Sequence, residues 1–355
     1  NNVEQNILIG DLGASILTRN INNTSATPAT FRITHTDGTQ RVTRVLQNVA
    51  GSLLSFGTNV VVVIEGSSTA NMGVNFGSAV TTINGTLQIN DRGYVDVNPP
   101  TYTNNSLLRY NVAGNYRRSV EWSTATGPGY PFNVQTSATT NFIAGGNSNE
   151  NTVLNMAGSL TIDASTAFDM TNANANNMAF PLIVGLDINN AGTLLASQAS
   201  GGNIILGRNW SRTGAGIFTP YVRSVTFNTS TDATLSAPGA GESFHTLIIN
   251  KPSVGTIGTN FVGYRVTLNS PALVSNILNL TSGYFITTPT NLMTIGAVGS
   301  VTGTGTDGTG GAIESFVDGP LRKTGTSNFV FPSGKIVVGS PYSEYHYRPI
   351  GISIL

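Results

Sequence analysis

Carboxylates are the side chains of this sequence best suited to acid–base chemistry. Hydrolysis of a glycosidic bond needs two carboxyl groups at a defined separation. Asp91 and Asp96 follow one short apolar run, and Asp163 and Asp169 follow a similar run. These four carboxylates could meet if the two runs stack on each other. Aspartate between short strands more often bonds to the local backbone, so we predict no catalytic residue in this chain.

Histidine, serine and cysteine give no further catalytic or metal site. His35, His245 and His346 are far apart, and no pair has the spacing of metal ligands. No serine lies in a G-x-S-x-G nucleophile elbow, and the chain contains no cysteine. Residues 303–311 resemble a calcium-binding nonapeptide, but the motif occurs once, whereas such sites need stacked copies. We therefore predict neither a metal nor a cofactor.

The best candidate for ligand binding lies between residues 115 and 132. The segment NYRRSVEWSTATGPGYPF interrupts the surrounding pattern and concentrates arginine, glutamate and aromatic residues. Exposed aromatic side chains beside Arg and Glu can stack on a sugar ring or anchor a protein partner. We predict a local insertion near residues 115–132 that leaves the scaffold and binds a ligand. Its predicted ligand-binding residues are Arg117, Arg118, Glu121, Trp122 and Tyr130.

Short β-type runs must position these side chains. Between residues 225 and 295, apolar runs return repeatedly and are separated by Gly, Pro, Ser, Thr and Asn. Such a repeat is typical of solenoids, in which each unit buries its apolar side chains against its neighbours. Few windows show the i, i+3, i+4 spacing of an amphipathic helix. The runs cover residues 225–227, 247–250, 266–269, 277–281 and 292–295.

Two earlier units repeat the pattern. Residues 85–90 and 158–163 each begin with Gly and carry a Leu-x-Ile triplet. Alternate side chains of a strand point to the same face. We therefore predict that Leu87 and Leu160 lie inside a parallel β-helix, with their neighbours in adjacent coils stacked on them.

Composition limits the classes of partner. The 355 residues include 17 basic and 17 acidic side chains, so the net charge is zero and the basic stripe of a nucleic-acid-binding protein is missing. Charged residues make up only 10% of the chain, so the surface consists of amides and hydroxyls, which is unusual for a cytoplasmic protein. No run approaches the ~20 apolar residues of a membrane-spanning helix. We predict an extracellular or cell-surface location.

The organisation predicted along the chain has three parts. Residues 1–60 form an N-terminal cap or first coils, residues 61–310 form the β-helix with its insertion, and residues 311–355 form a C-terminal cap or the start of a β-sandwich. Tyr342, Tyr345 and Tyr347 are predicted to pack this last segment against the end of the solenoid. No signal peptide begins at residue 1, so we expect a processed protein or a piece of a longer one.

Several motifs from residue 203 to residue 353 point to a family. NW, FTP, VTFN, LIINK and ILNLTSG follow one another, and ESFVDGPLRKTG and YRPIGIS come after them. This progression resembles repeats of large surface and secreted proteins of the Bacteroidota. The resemblance implies a right-handed parallel β-helix, export by the type IX secretion system, and display at the cell surface or release. It implies no particular chemistry, because a fold does not supply a function.

The function predicted from these observations is structural or adhesive and not enzymatic. The chain is expected to serve as a rigid stalk or fibre component of a larger bacterial surface protein. Expected partners are surface glycans, other surface proteins, other domains of the same polypeptide and further copies of the chain. One alternative is a carbohydrate-active β-helix enzyme that acts on an extracellular polysaccharide. A second alternative is a self-assembling filament subunit.

Overall fold

The protein is all-β and its strands pair mainly in parallel. A computed structural model describes residues 18–35, 42–46, 51–77, 80–145, 153–171, 177–257, 259–305, 308–339 and 343–353. Within these ranges the only helix is a 3₁₀ turn at Val120–Trp122. The chain divides into two compact units, Asn1–Phe180 with Gly192–Leu194 and Pro181–Ala191 with Leu195–Leu355. The boundaries at residues 60 and 310 stay a prediction.

The first unit consists of short strands in parallel sheets. One sheet has the order β2-β5-β8-β11-β13-β16, a second β1-β4-β7-β10, a third β3-β6-β9, and β12, β14 and β17 form a fourth. The strands are β1 (Thr18–Ile21), β2 (Ala29–Thr34), β3 (Val42–Val45), β4 (Leu53–Phe56), β5 (Val60–Glu65), β6 (Met72–Asn75), β7 (Val80–Ile83), β8 (Thr86–Asn90), β9 (Gly93–Val95), β10 (Thr101–Tyr102), β11 (Leu107–Asn111), β12 (Ala113–Arg117), β13 (Asn133–Thr136), β14 (Thr139–Ile143), β15 (Leu154–Met156), β16 (Leu160–Ile162) and β17 (Ala167–Asp169).

Apolar side chains stack in register along the first of these sheets. Leu87 pairs with Leu108, Leu108 with Val134, and Val134 with Leu160. All four side chains are fully buried. The stack confirms the inward orientation predicted for the two Leu-x-Ile triplets, because the alternation of apolar and polar residues fixes which face of each strand is buried.

The second unit repeats this construction. One sheet has the order β18-β21-β24-β26-β28-β30-β33, with β31 also on β28, and another β19-β22-β25-β27-β29-β32-β35-β36. The strands are β18 (Leu182–Val184), β19 (Ile188–Asn190), β20 (Thr193–Leu195, shared with the first unit), β21 (Ile204–Leu206), β22 (Trp210–Arg212), β23 (Ile217–Thr219), β24 (Ser224–Phe227), β25 (Ala233–Ser236), β26 (Glu242–Asn250), β27 (Arg265–Leu268), β28 (Ala272–Ser282), β29 (Tyr284–Ile286), β30 (Met293–Ile295), β31 (Ser300–Gly303), β32 (Val317–Asp318), β33 (Leu321–Lys323), β34 (Phe329–Phe331), β35 (Ser333–Val337), β36 (Glu344–Tyr347) and β37 (Ile350–Ile352).

The repeated runs of residues 225–295 belong to two sheets. β24, β26, β28 and β30 are successive neighbours in one sheet, whereas β27 lies between β25 and β29 in another. Val225, Leu247 and Leu278 face one another in the first sheet and are buried. The recurring apolar runs are therefore stacked parallel strands, as predicted. Successive runs can belong to different sheets of the unit.

Strand pairing changes from parallel to antiparallel at the end of the second unit. β35 pairs with β36 and β34 pairs with β37 in antiparallel orientation. Tyr345 stacks on Tyr284 with ring centroids 4.8 Å apart, and Tyr347 lies 6.2 Å from Phe316. These contacts confirm that both tyrosines pack against the preceding strands, while Tyr342 lies outside the described residues.

Candidate functional site

The predicted insertion folds inward instead of leaving the scaffold. Trp122 and Glu121 are fully buried, and Arg118 is only 3% exposed. The prediction that these three side chains are exposed for ligand binding is therefore wrong. Arg117 and Tyr130 are half-buried and keep part of their surface accessible.

Aromatic packing explains the position of Trp122. Its indole ring lies 5.8 Å from the ring of Phe142 and 6.2 Å from that of Phe168. The indole N–H donates a hydrogen bond of 2.8 Å to the Asn155 carbonyl. A buried tryptophan with its polar atom satisfied contributes a large apolar area to a core. Sequence reasoning misassigned it because Trp is amphipathic and its neighbours are charged.

The loop after Trp122 closes back on the unit. The Ser123 amide donates to the Gly129 carbonyl, and the Gly129 amide donates to the Pro100 carbonyl, both at 2.9 Å. Gly129 has a φ of +78°, a conformation that glycine adopts without strain. A Cβ atom at this position would lie 3.0 Å from the Val120 carbonyl. The glycine therefore permits the close approach that returns the loop to the core.

Glu121 is the centre of a buried polar cluster. Its Oε1 atom accepts hydrogen bonds from the Tyr116 hydroxyl at 3.1 Å, the Tyr110 hydroxyl at 3.3 Å and the Ser119 amide at 2.9 Å. The Tyr102 hydroxyl donates to the Glu121 backbone carbonyl at 3.0 Å. Burial raises the pKa of the Glu121 carboxyl above its ordinary value, against the opposing effect of these hydrogen bonds and of Arg118.

Asp91 and Asp163 lie too far apart to act together as the two carboxyl groups of a glycosidase. Asp91 follows β8 and Asp163 follows β16, with β11 and β13 between these strands. Three strand spacings amount to about 14 Å, whereas the carboxyl groups of glycosidases lie no more than about 9.5 Å apart. Asp91 Oδ1 accepts the Ala113 amide at 2.6 Å, and Asp169 Oδ1 accepts the Thr171 amide at 2.7 Å. These two carboxylates bind backbone amides.

A polar ladder on the same sheet was missed by sequence reasoning. Arg109 donates from Nε to Gln135 Oε1 at 2.9 Å and from Nη1 to Gln88 Oε1 at 3.2 Å. Gln135 in turn donates from Nε2 to both carboxylate oxygens of Asp163, at 3.1 and 2.9 Å. The partners are 21 to 28 residues apart, so only the strand register could have revealed them.

A second buried carboxyl group lies in the second unit. Glu242 Oε2 accepts a hydrogen bond from the Trp210 indole at 2.9 Å and from Arg212 Nε at 3.0 Å. Arg212 also donates to the carbonyls of Gly216 and Gly241. Burial raises the pKa of Glu242, and the Trp210 and Arg212 contacts oppose this shift. Trp210 is a core residue, because its side chain is fully buried.

Lys251 is a buried cation, and no carboxylate among the described residues accepts a hydrogen bond from its ammonium. Its ammonium donates to the Gly207 carbonyl at 2.9 Å and to the Thr229 carbonyl and hydroxyl at 3.3 Å each. Burial lowers the pKa of Lys251 to about 8, with a smaller opposing effect from Asp232. The side chain was not singled out from the sequence because it directly follows an ordinary apolar run.

Metal ligands do not converge in the described part of the chain, where no three His, Asp or Glu side chains could hold one ion. His346 Nε2 lies 3.1 Å from Glu344 Oε2, and His245 Nδ1 lies 3.2 Å from the Thr246 hydroxyl. His245 is half-buried.

An open groove near the end of the second unit is accessible to a ligand. Its volume is about 460 Å³, and none of the described residues that line it is charged. Val298, Phe329 and Ile352 contribute apolar surface, and Ser327 and Asn328 contribute hydroxyl and amide groups. Val298 is 88% exposed. Apolar and polar groups contribute about equally to the surface of this groove.

Comparison of the chain with protein-family models, with curated proteins and with solved structures finds no match. Among the described residues, no helix has the length and apolar character needed to cross a membrane.

Proposed function

We propose that this chain is a non-enzymatic structural or adhesive segment of a larger bacterial surface protein, built as a right-handed parallel β-helix. One observation carries the proposal: within each unit, strands of one sheet recur at intervals of 16 to 35 residues and stack their apolar side chains. Contacts across such intervals include the side-chain hydrogen bond between Gln88 and Arg109, 21 residues apart, and the hydrogen bond from the Ala237 amide to the Ser270 hydroxyl, 33 residues apart. Crossovers between parallel strands are right-handed in about 98% of cases.

A scaffold role is supported by the contacts of the buried ionisable side chains. The buried carboxyl groups of Glu121 and Glu242, and the ammonium of Lys251, bond to neighbouring strands and loops. Asp91 and Asp163 are too far apart for glycoside hydrolysis, which argues against a carbohydrate-active enzyme. The extracellular address, type IX export and kinship with Bacteroidota proteins rest on the low charge and the sequence motifs.

Mechanical unfolding of the intact chain tests the scaffold. In a solenoid each repeat contacts only its neighbours, so pulling between the termini should release one repeat at a time. Repeats of 16 to 35 residues correspond to steps of roughly 6 to 12 nm at ~3.5 Å per residue. Rupture of each compact unit in a single step of more than a hundred residues would contradict the proposal.

Adhesion is assigned to the uncharged groove lined by Val298, Phe329 and Ile352. Such a surface suits neutral glycans, which offer hydroxyl groups to Ser327 and Asn328 and apolar ring faces to Phe329. A glycan array with wild type, Phe329→Ala and the control Val338→Ala tests this, because Val338 is 77% exposed and does not line the groove. Equal glycan binding by all three proteins would show that the groove is not the binding site. Release of sugar fragments would overturn the non-enzymatic assignment.

Filament assembly is the second candidate. In the described part of the chain β37 pairs only with β34, and Ile350 and Ile352 are 60% and 51% exposed. An exposed apolar edge strand can pair with another copy. Filaments seen by electron microscopy for wild type and Val338→Lys, but lost in Ile352→Lys, would support assembly through this edge. Monomers at all concentrations would exclude it.

A further inference from the structure

The loop of residues 118–131 is tied to the first unit through Glu121. Its carboxyl Oε1 receives three hydrogen bonds, and its backbone carbonyl receives a fourth from Tyr102. The adjacent Trp122 occupies the aromatic core formed with Phe142 and Phe168. Glu121 therefore joins the loop to strands β10, β11 and β12 at a single buried point.

The ionised form of Glu121 is poorly accommodated at this point. The side chain is fully buried, and Oε2 has no hydrogen-bond partner among the described residues. The hydrogen bonds from Tyr116, Tyr110 and Ser119 are all accepted by the other oxygen, Oε1. A buried charged oxygen without a hydrogen-bond partner is far less stable than a buried neutral one.

We propose that the protonated Glu121 carboxyl group keeps the loop of residues 118–131 closed, and that its ionisation opens the loop and exposes Trp122. One proton then controls whether the loop is closed or open, and we call this arrangement the latch. The groups that face Glu121 in the described structure are the hydroxyls of Tyr102, Tyr110 and Tyr116 and the guanidinium of Arg118. Tyr102 and Tyr110 stay neutral in the relevant range because burial raises the pKa of each hydroxyl well above its ordinary value.

The direction of the pH effect follows from linkage. The closed state holds a carboxyl whose pKa lies above its ordinary value. The closed loop is therefore fully stabilised below the ordinary pKa of glutamate, near 4.3, and loses this stabilisation as the pH rises through the raised pKa. One proton changes the opening equilibrium by at most about tenfold per pH unit.

Hydrogen exchange of the full chain tests the latch. Amide protection factors for residues 118–131 are measured from pH 5 to pH 9 in wild type, Glu121→Gln and Glu242→Gln. Wild type should lose protection with rising pH by up to about tenfold per unit, whereas Glu121→Gln, which cannot ionise, should not. Glu242→Gln changes the other buried glutamate and should behave like wild type. Equal pH profiles for wild type and Glu121→Gln would overturn the proposal.

Tyr116→Phe provides a test that does not depend on folding of Glu121→Gln. It removes a hydroxyl that favours the ionised carboxylate, so the loss of protection should shift to higher pH. A shift to lower pH, or none, would show that another group titrates. In Trp210→Phe, Trp122 is the only tryptophan left, and its quenching by acrylamide should increase over the same pH range. A quenching signal that stays constant would contradict the opening of the loop.

Discussion

Nε of Arg109 lies 2.9 Å from Oε1 of Gln135, the residue that faces it from the next strand of the same sheet. Gln88 approaches the same guanidinium from the strand on the other side, at 3.2 Å. The cation is thus held by two neutral carbonyl groups on the outer face of the first unit. These side-chain hydrogen bonds join three neighbouring strands, in addition to the backbone hydrogen bonds between the strands.

The first prediction concerns this ladder. Arg109→Ala should lower the free energy of unfolding of the first unit by about 1 kcal/mol, because two charge-assisted hydrogen bonds on a partly exposed side chain are lost. Chemical denaturation followed by circular dichroism measures the change. Arg322→Ala removes an exposed arginine and should leave stability within about 0.5 kcal/mol of wild type. Equal effects of the two variants would show that the ladder contributes nothing.

The second prediction concerns Trp122. Trp122→Ala should destabilise the first unit by about 3 to 5 kcal/mol, because it leaves a large cavity and an unpaired Asn155 carbonyl. Denaturant titration gives the loss, and Phe180→Ala, which truncates a 41% exposed aromatic, serves as the control. A loss below about 1 kcal/mol for Trp122→Ala would be incompatible with a core position.

The sequence predicts the buried faces well and the polar contacts poorly, for a physical reason. Leu87 and Leu160 could be placed because alternation within a strand is local. The contact between Arg109 and Gln135 depends on the register of residues 26 apart, which loop lengths determine. Trp122 was misplaced because composition alone does not say whether an amphipathic ring covers a core or faces solvent.

The third prediction concerns the pH dependence that Lys251 causes. Its folded-state pKa of about 8 lies below the ordinary 10.5, so the fold favours the neutral amine. The unfolded chain binds more protons between these values, and stability attributable to Lys251 should therefore rise as the pH increases from about 8 to about 10.5. The free energy of unfolding of wild type minus that of Lys251→Met measures this contribution.

Lys323→Met is the matched control for Lys251. Its ammonium also makes three hydrogen bonds, to the carbonyls of Gly296, Ala297 and Thr324, but near the surface. The difference between wild type and Lys323→Met is measured over the same pH range for comparison. A Lys251→Met difference that varies with pH no more than the Lys323→Met difference would contradict the buried-cation assignment.

The fourth prediction compares two ion pairs of the second unit. Glu242→Ala leaves Arg212, whose side chain is 15% exposed, without its carboxylate and should cost about 3 to 5 kcal/mol. Asp187→Ala breaks the pair with Arg208, which is 44% exposed, and should cost at most about 1 kcal/mol. Thermal unfolding of both variants gives the comparison, and the reverse order would refute the argument from burial.

The fifth prediction uses two glycines of one turn. Gly241 has a φ of +92°, and a Cβ atom there would lie 1.6 Å from the Pro271 carbonyl oxygen. Gly239 has a φ of +64°, but a Cβ atom there would meet nothing within 4 Å. Gly239→Ala should therefore cost only the left-handed backbone penalty of about 1 to 2 kcal/mol. In Gly241→Ala the added Cβ atom must also displace the strand that begins at Ala272, which disrupts the pairing of Ala272 with Glu242. The unfolding temperature of Gly241→Ala should therefore fall well below that of Gly239→Ala. Similar melting temperatures for the two variants would mean that the close approach of this turn to Pro271 is absent in solution.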